Sequence, residues 1–157
     1  MTGTPQPPAS VVVVGTGLIG TSVALALAER GTRVWLADQD PAAARLAEHI
    51  GAGTALPGGW LPAPGELPAG LPAELAVLAV PPAAVAPVLA EAQASGVARW
   101  YTDVASVKEL PLARARGLGC DLTGFVPGHP ISGRERSGPA AARADLFLGR
   151  PWVLCPV

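Results

Sequence analysis

Cysteine is scarce in this chain of 157 residues, and so is charge. The two cysteines, Cys120 and Cys155, stand far apart and form neither a CxxC pair nor a His/Cys cluster. That spacing supports neither a disulfide framework nor a zinc site, and reads as two buried free thiols. Only 15% of the residues are charged and the net charge is −1, so no basic patch offers nucleic acid an electrostatic footprint. No apolar run approaches the roughly 20 residues that a membrane span needs. The opening MTGTPQPPAS lacks both a basic segment and an apolar segment, so it is not a secretory signal but a disordered tail over residues 1–10. The expected compartment is the cytoplasm. No internal repeat of solenoid type is present. What remains is half apolar, which is enough for a packed core of single-domain size.

Strand-like and helix-like segments alternate. Val11 to Val14 is an uninterrupted β-branched run, suited to a strand buried on both faces. A helix rich in Ala and Leu is expected from Thr21 to Arg30, stopped by Gly31. Arg33 to Ala37 reads as the second strand. Pro41 to Ile50 reads as a helix with Asp40 as its N-cap and proline at its first position. Residues 51–72 are rich in proline and glycine and have no period; Leu56 to Pro72 is expected to be a long loop. Further strands are expected at Glu74 to Val80, Val97 to Val104, Cys120 to Val126 and Trp152 to Cys155. Helices are expected from Pro81 to Ser95, from Ser106 to Arg116 and from Ala140 to Phe147. Such alternation implies an α/β fold of Rossmann type: a doubly wound, mainly parallel sheet with helices on both faces.

The turn after the first strand carries the strongest signal. Gly15-Thr16-Gly17-Leu18-Ile19-Gly20 fits G-x-G-x-x-G, leaves a buried strand and opens a helix. Gly15 permits the tight turn, Gly17 lets backbone approach a pyrophosphate, and Gly20 lets the helix lie close to the sheet. Free N–H groups at the helix start then face the phosphates. Asp38 closes the second strand near the spacing of about 20 residues expected for an acid that binds the ribose hydroxyls. Its charge would repel a 2′-phosphate, which favours NAD over NADP; FAD-binding proteins share the fingerprint and compete for the assignment. Residues 11–157 thus read as one NAD-binding domain. Val80 and Pro81 end a strand on the cofactor side of such a sheet, and Asp103 ends another.

Four motifs in order give this chain a family resemblance. They are GTGLIGTS at the glycine loop, DVASVK from Asp103 to Lys108, HPISGRERSG from His129 to Gly138, and LFLGRPWVLCP from Leu146 to Pro156. Between about Val11 and Pro156 the sequence resembles prephenate dehydrogenase and its arogenate and cyclohexadienyl relatives, whose motifs typically read GLGLIGGS, DVGSVK, HPMAGxExSG and LFxGxxxxLTP. Arg134 stands where the family usually has a small hydroxyl residue; Ser132 and Ala105 are milder departures.

The resemblance implies oxidative decarboxylation. NAD takes hydride from ring C4 of prephenate or arogenate, a base takes the hydroxyl proton, and loss of CO2 aromatises the ring. His129 matches the catalytic histidine, a group whose ordinary pKa suits that proton transfer. Ser106 matches the serine that hydrogen-bonds the histidine near the nicotinamide; read alone it is a helix N-cap with Glu109 completing a capping box. Glu135 matches a glutamate near the site entrance. His49, beside Glu48 on a helix, reads as a surface residue. The family continues into a C-terminal helical domain that makes the homodimer and supplies a carboxylate-binding arginine, and no arginine between Arg134 and Arg150 occupies that position; the expectation is that this dimerisation domain is absent from the chain, which is then a truncated piece, works with a separate helical partner, or is a lone NAD-binding module. The rival readings are another small-acid dehydrogenase and a non-catalytic, regulatory NAD-binding module.

Overall fold

A computed structural model describes residues 3–131 and 138–157. Six strands form one wholly parallel sheet: β1 (Ser10–Val14), β2 (Arg33–Ala37), β3 (Thr54–Ala55), β4 (Ala73–Leu78), β5 (Ala98–Asp103) and β6 (Phe125–Val126), in the order β3-β2-β1-β4-β5-β6. Parallel neighbours need crossover connections, and helices supply them. They are α1 (Leu18–Glu29), α2 (Pro41–His49), α3 (Pro82–Ser95) and α4 (Glu109–Gly117). Two short strands, β7 (Gly128–Pro130) and β8 (Trp152–Leu154), pair antiparallel as a separate ribbon.

The sequence of β1 explains its place at the centre. Val11 and Val13 enter one apolar cluster with Val23 and Ala24 of α1 and Ala47 of α2. Val12 and Val14 enter the opposite cluster with Val85 and Leu89 of α3 and Ala115 of α4. All four valines are fully buried. Each such side chain contributes about 1.5–3 kcal/mol relative to exposure, so the run stabilises both layers at once. Asp40 caps α2 by accepting from the Ala42 N–H at 3.0 Å, with Pro41 at the first position, as its sequence requires.

Several expectations are corrected. Helix α1 begins at Leu18 rather than Thr21, because the second half of the glycine motif already forms its first turn. Helix α4 begins at Glu109 with Lys108 as N-cap and no side-chain cap, so Ser106 does not form the capping box. The expected strand from Cys120 shrinks to Phe125–Val126, since Asp121 folds back to accept from the Thr123 N–H at 2.9 Å. The expected helix from Ala140 to Phe147 is instead a 3₁₀ turn, Pro139–Ala141, followed by irregular turns. His129, expected in a loop, lies in β7. The last residues of the expected tail join the sheet: Ser10 starts β1, and the Ala9 N–H donates to Glu74 Oε2 at 2.9 Å. Among the described residues, no helix is long and apolar enough to cross a membrane.

Candidate active site

The glycine loop is held shut by backbone contact. A Cβ on Gly15 would fall on the Ala79 carbonyl oxygen, and one on Gly20 would fall on the Gly15 carbonyl oxygen. Gly15 also has φ +97°, a left-handed conformation that favours glycine. Gly17 differs: it is exposed, and a Cβ there would meet nothing. The loop is therefore packed beneath and open above. The space above Gly17 adjoins the N-terminus of α1, where the first N–H groups lack partners in the helix and favour an anion.

Gly15 and Gly17 line a cleft of about 280 Å³ together with Asp38, Val80, Pro81 and Trp60. Asp38 does two things there. Its Oδ2 accepts from the Thr16 N–H at 2.7 Å and the Thr16 hydroxyl at 2.9 Å, and its Oδ1 accepts from the Asp40 N–H at 2.8 Å. The acid thus clamps the glycine loop while facing the cleft. Thr16 itself is fully buried, with its hydroxyl turned to Asp38. Leu18 is partly exposed on the first turn of α1, and Ile19 packs against the core.

Asp103 ends β5, as expected, with its side chain turned inward. Its side chain is only 1% exposed and is fully engaged by the protein. Oδ2 accepts from Lys108 Nζ at 2.7 Å and from the Ala105 N–H at 3.3 Å; Oδ1 accepts from the Gly128 N–H at 3.1 Å. One carboxylate therefore holds the residue before Ser106 and the residue before His129. Asp103 is a brace between these two elements. Gly128 fits because a Cβ would lie 2.9 Å from Trp152 Nε1 and 3.0 Å from the Asp103 carbonyl oxygen. His129 is half-buried and paired with Val153 across the ribbon, while Ser106 is exposed beyond the end of β5. Glu135 lies outside the described residues.

Sequence reasoning passed over Trp60 and the bracing role of Asp103. The signal for Trp60 was weak: one aromatic residue in a stretch with no period. The bracing role of Asp103 was not separable in sequence, since an acid at a strand end suits either role.

Residues 23–157 match the family model "Prephenate dehydrogenase, nucleotide-binding domain". The chain belongs to the prephenate dehydrogenase family, as its nucleotide-binding domain. The probable prephenate dehydrogenase NovF of Streptomyces niveus is 50% identical over 147 residues, covering 94% of this chain and 38% of that protein. Synechocystis arogenate dehydrogenase superposes with a TM-score of 0.76 at 30% identity, over 94% of this chain and 50% of that one. Prephenate dehydrogenase from A. aeolicus, solved with hydroxyphenyl propionate and NAD+, shares the fold with a TM-score of 0.74 at 23% identity, over 100% of this chain and 52% of that one. The chain thus spans about half the length of these solved relatives and less of the curated one. Its Rossmann-type parallel sheet is the one the family resemblance implies.

Proposed function

We propose that this domain binds NAD and contributes His129 and Ser106 to the oxidative decarboxylation of prephenate or arogenate. The observation that carries the reading is the clamped glycine loop: backbone packed beneath, open above Gly17, with a carboxylate facing the same cleft. These residues fit a dinucleotide, with Gly15 to Gly20 at the pyrophosphate and Asp38 at the adenine ribose. When bound, NAD supplies the acceptor for the hydride that leaves ring C4. His129 accepts the proton of the C4 hydroxyl, and Ser106 orients the imidazole. Asp103 holds both of their neighbours, so the two groups keep one relative placement through the reaction. In this reading the grip on the substrate carboxylate and the homodimer contact come from a helical domain of the kind the family carries.

Calorimetric titration tests the cofactor reading directly. NAD is expected to bind saturably and NADP at least about ten-fold more weakly, since a 2′-phosphate would meet the Asp38 charge. Asp38→Ala is expected to remove most of that preference. Absence of saturable NAD binding would overturn the proposal. With a helical partner domain supplied, appearance of NADH from prephenate or arogenate and its loss in His129→Ala test the chemistry.

A further inference from the structure

We propose that Trp60 forms the wall against which the adenine ring of the bound dinucleotide lies, which makes the proline- and glycine-rich stretch between β3 and β4 part of the cofactor site. The inference rests on the dinucleotide reading and adds to it the residue that receives the base.

Trp60 is placed by two fixed points. The Asp38 N–H donates to the Gly59 carbonyl at 2.8 Å, which ties the 3₁₀ turn Pro57–Gly59 to the end of β2. The Leu56 N–H donates to the Leu36 carbonyl at 2.8 Å and fixes the other end of that turn. Trp60 Nε1 then donates to Glu91 Oε1 on α3 at 2.7 Å. The indole is therefore strung from the tip of β2 to the flank of α3, beside Asp38.

The cleft's composition says what would sit there. Its phosphate end is Gly15 and Gly17 and its polar lip is Asp38 with Gln39. The rest of its lining is Trp60 with Ala79, Val80, Pro81, Ala84 and Val88, all apolar. His129 and Ser106 lie past β5, on the far side of β1 from β2. A dinucleotide with its pyrophosphate at the glycine loop and one ribose at Asp38 therefore sends the base of that ribose toward Trp60, away from the reacting end. A flat heteroaromatic ring suits an apolar slot with an indole on one side, because stacking needs no hydrogen-bond match.

The test compares wild type with Trp60→Phe and Trp60→Leu by calorimetry, using NAD, ADP-ribose and nicotinamide mononucleotide, which lacks adenine. Trp60→Leu is expected to weaken NAD and ADP-ribose about ten-fold and to leave nicotinamide mononucleotide unchanged. Trp60→Phe, which keeps a ring, is expected to stay within about three-fold of wild type. A second readout needs no disruptive change: quenching of tryptophan fluorescence by ADP-ribose should be largely lost in Trp60→Phe. NAD and ADP-ribose binding undisturbed in Trp60→Leu, or undiminished quenching in Trp60→Phe, would overturn this proposal alone. A wild type that binds neither ligand takes down the dinucleotide reading and this inference with it.

Discussion

Around β1 and β2 the sheet is covered on both faces, and Val11 to Val14, Leu36 and Ala37 are fully buried. Around β5 and β6 one face remains open to water. Trp100 is 58% exposed, and Leu148 and Leu154 are 78% and 60% exposed. A groove of about 1360 Å³ runs there between α1, the sheet and the Phe147–Trp152 pair, whose rings lie 5.2 Å apart. This larger cavity is not the cofactor cleft, which is nearly five times smaller and sits at the glycine loop. The cofactor cleft is built wholly from contacts inside the domain, and its geometry is set by close backbone approach. The groove is lined in part by exposed apolar side chains such as Leu148 and Leu154, positions where substitution costs little stability.

The sharpest way to break that comparison is Gly20→Ala. The added methyl would fall on the Gly15 carbonyl oxygen, which is backbone and has little room to yield. A loss of about 3 kcal/mol in a denaturant melt is expected, with loss of NAD binding. A variant that melts like wild type would show the loop to be looser than described. Asp103→Asn should come next. It keeps the shape of the brace but removes the charge that pairs with Lys108, and its amide cannot accept at both ends. A loss of about 2 kcal/mol is expected. Lys108 is the only lysine in the sequence, so a methyl-labelled lysine signal reports the broken pair without overlap. An unshifted signal would remove the pair from the account. Leu154→Lys should matter least, with stability within about 0.5 kcal/mol of wild type. Hydrophobic-dye binding should fall while NAD affinity stays constant; a change in that affinity would join the two regions that are separated here.

The same contrast explains what could be read from the sequence. The doubly wound sheet was legible because Val11 to Val14, the glycine loop and Asp38 each carry a local signature: β-branched density, enforced turn geometry and spacing. The first turn of α1 was harder to place because glycine disfavours helix, yet Gly20 is helical where packing leaves no room for a side chain. Beyond β5 the local signals weaken. Ala140 to Phe147 has good helix formers, but the segment is pinned in its middle, where the Arg143 N–H donates to Ser22 Oγ at 3.0 Å, and it runs as turns. Ser106 carried a capping pattern, yet the helix waits until Glu109, since the chain before it is drawn to Asp103 through Ala105 and Lys108. Such pairings depend on residues distant in sequence, and no window of neighbours contains them. The assignment of His129 and Ser106 rests on motif resemblance and not on local physics.

The latch between Asp38 and Thr16 has one more consequence. The same carboxylate that would choose between the two nicotinamide cofactors also fastens residue 16 to the end of β2, before any ligand arrives. Selectivity and loop shape are therefore inherited as a single trait. Re-engineering the domain toward a phosphorylated cofactor would need a replacement fastening as well as a new charge, and a lone swap at position 38 would trade discrimination for a slackened cradle.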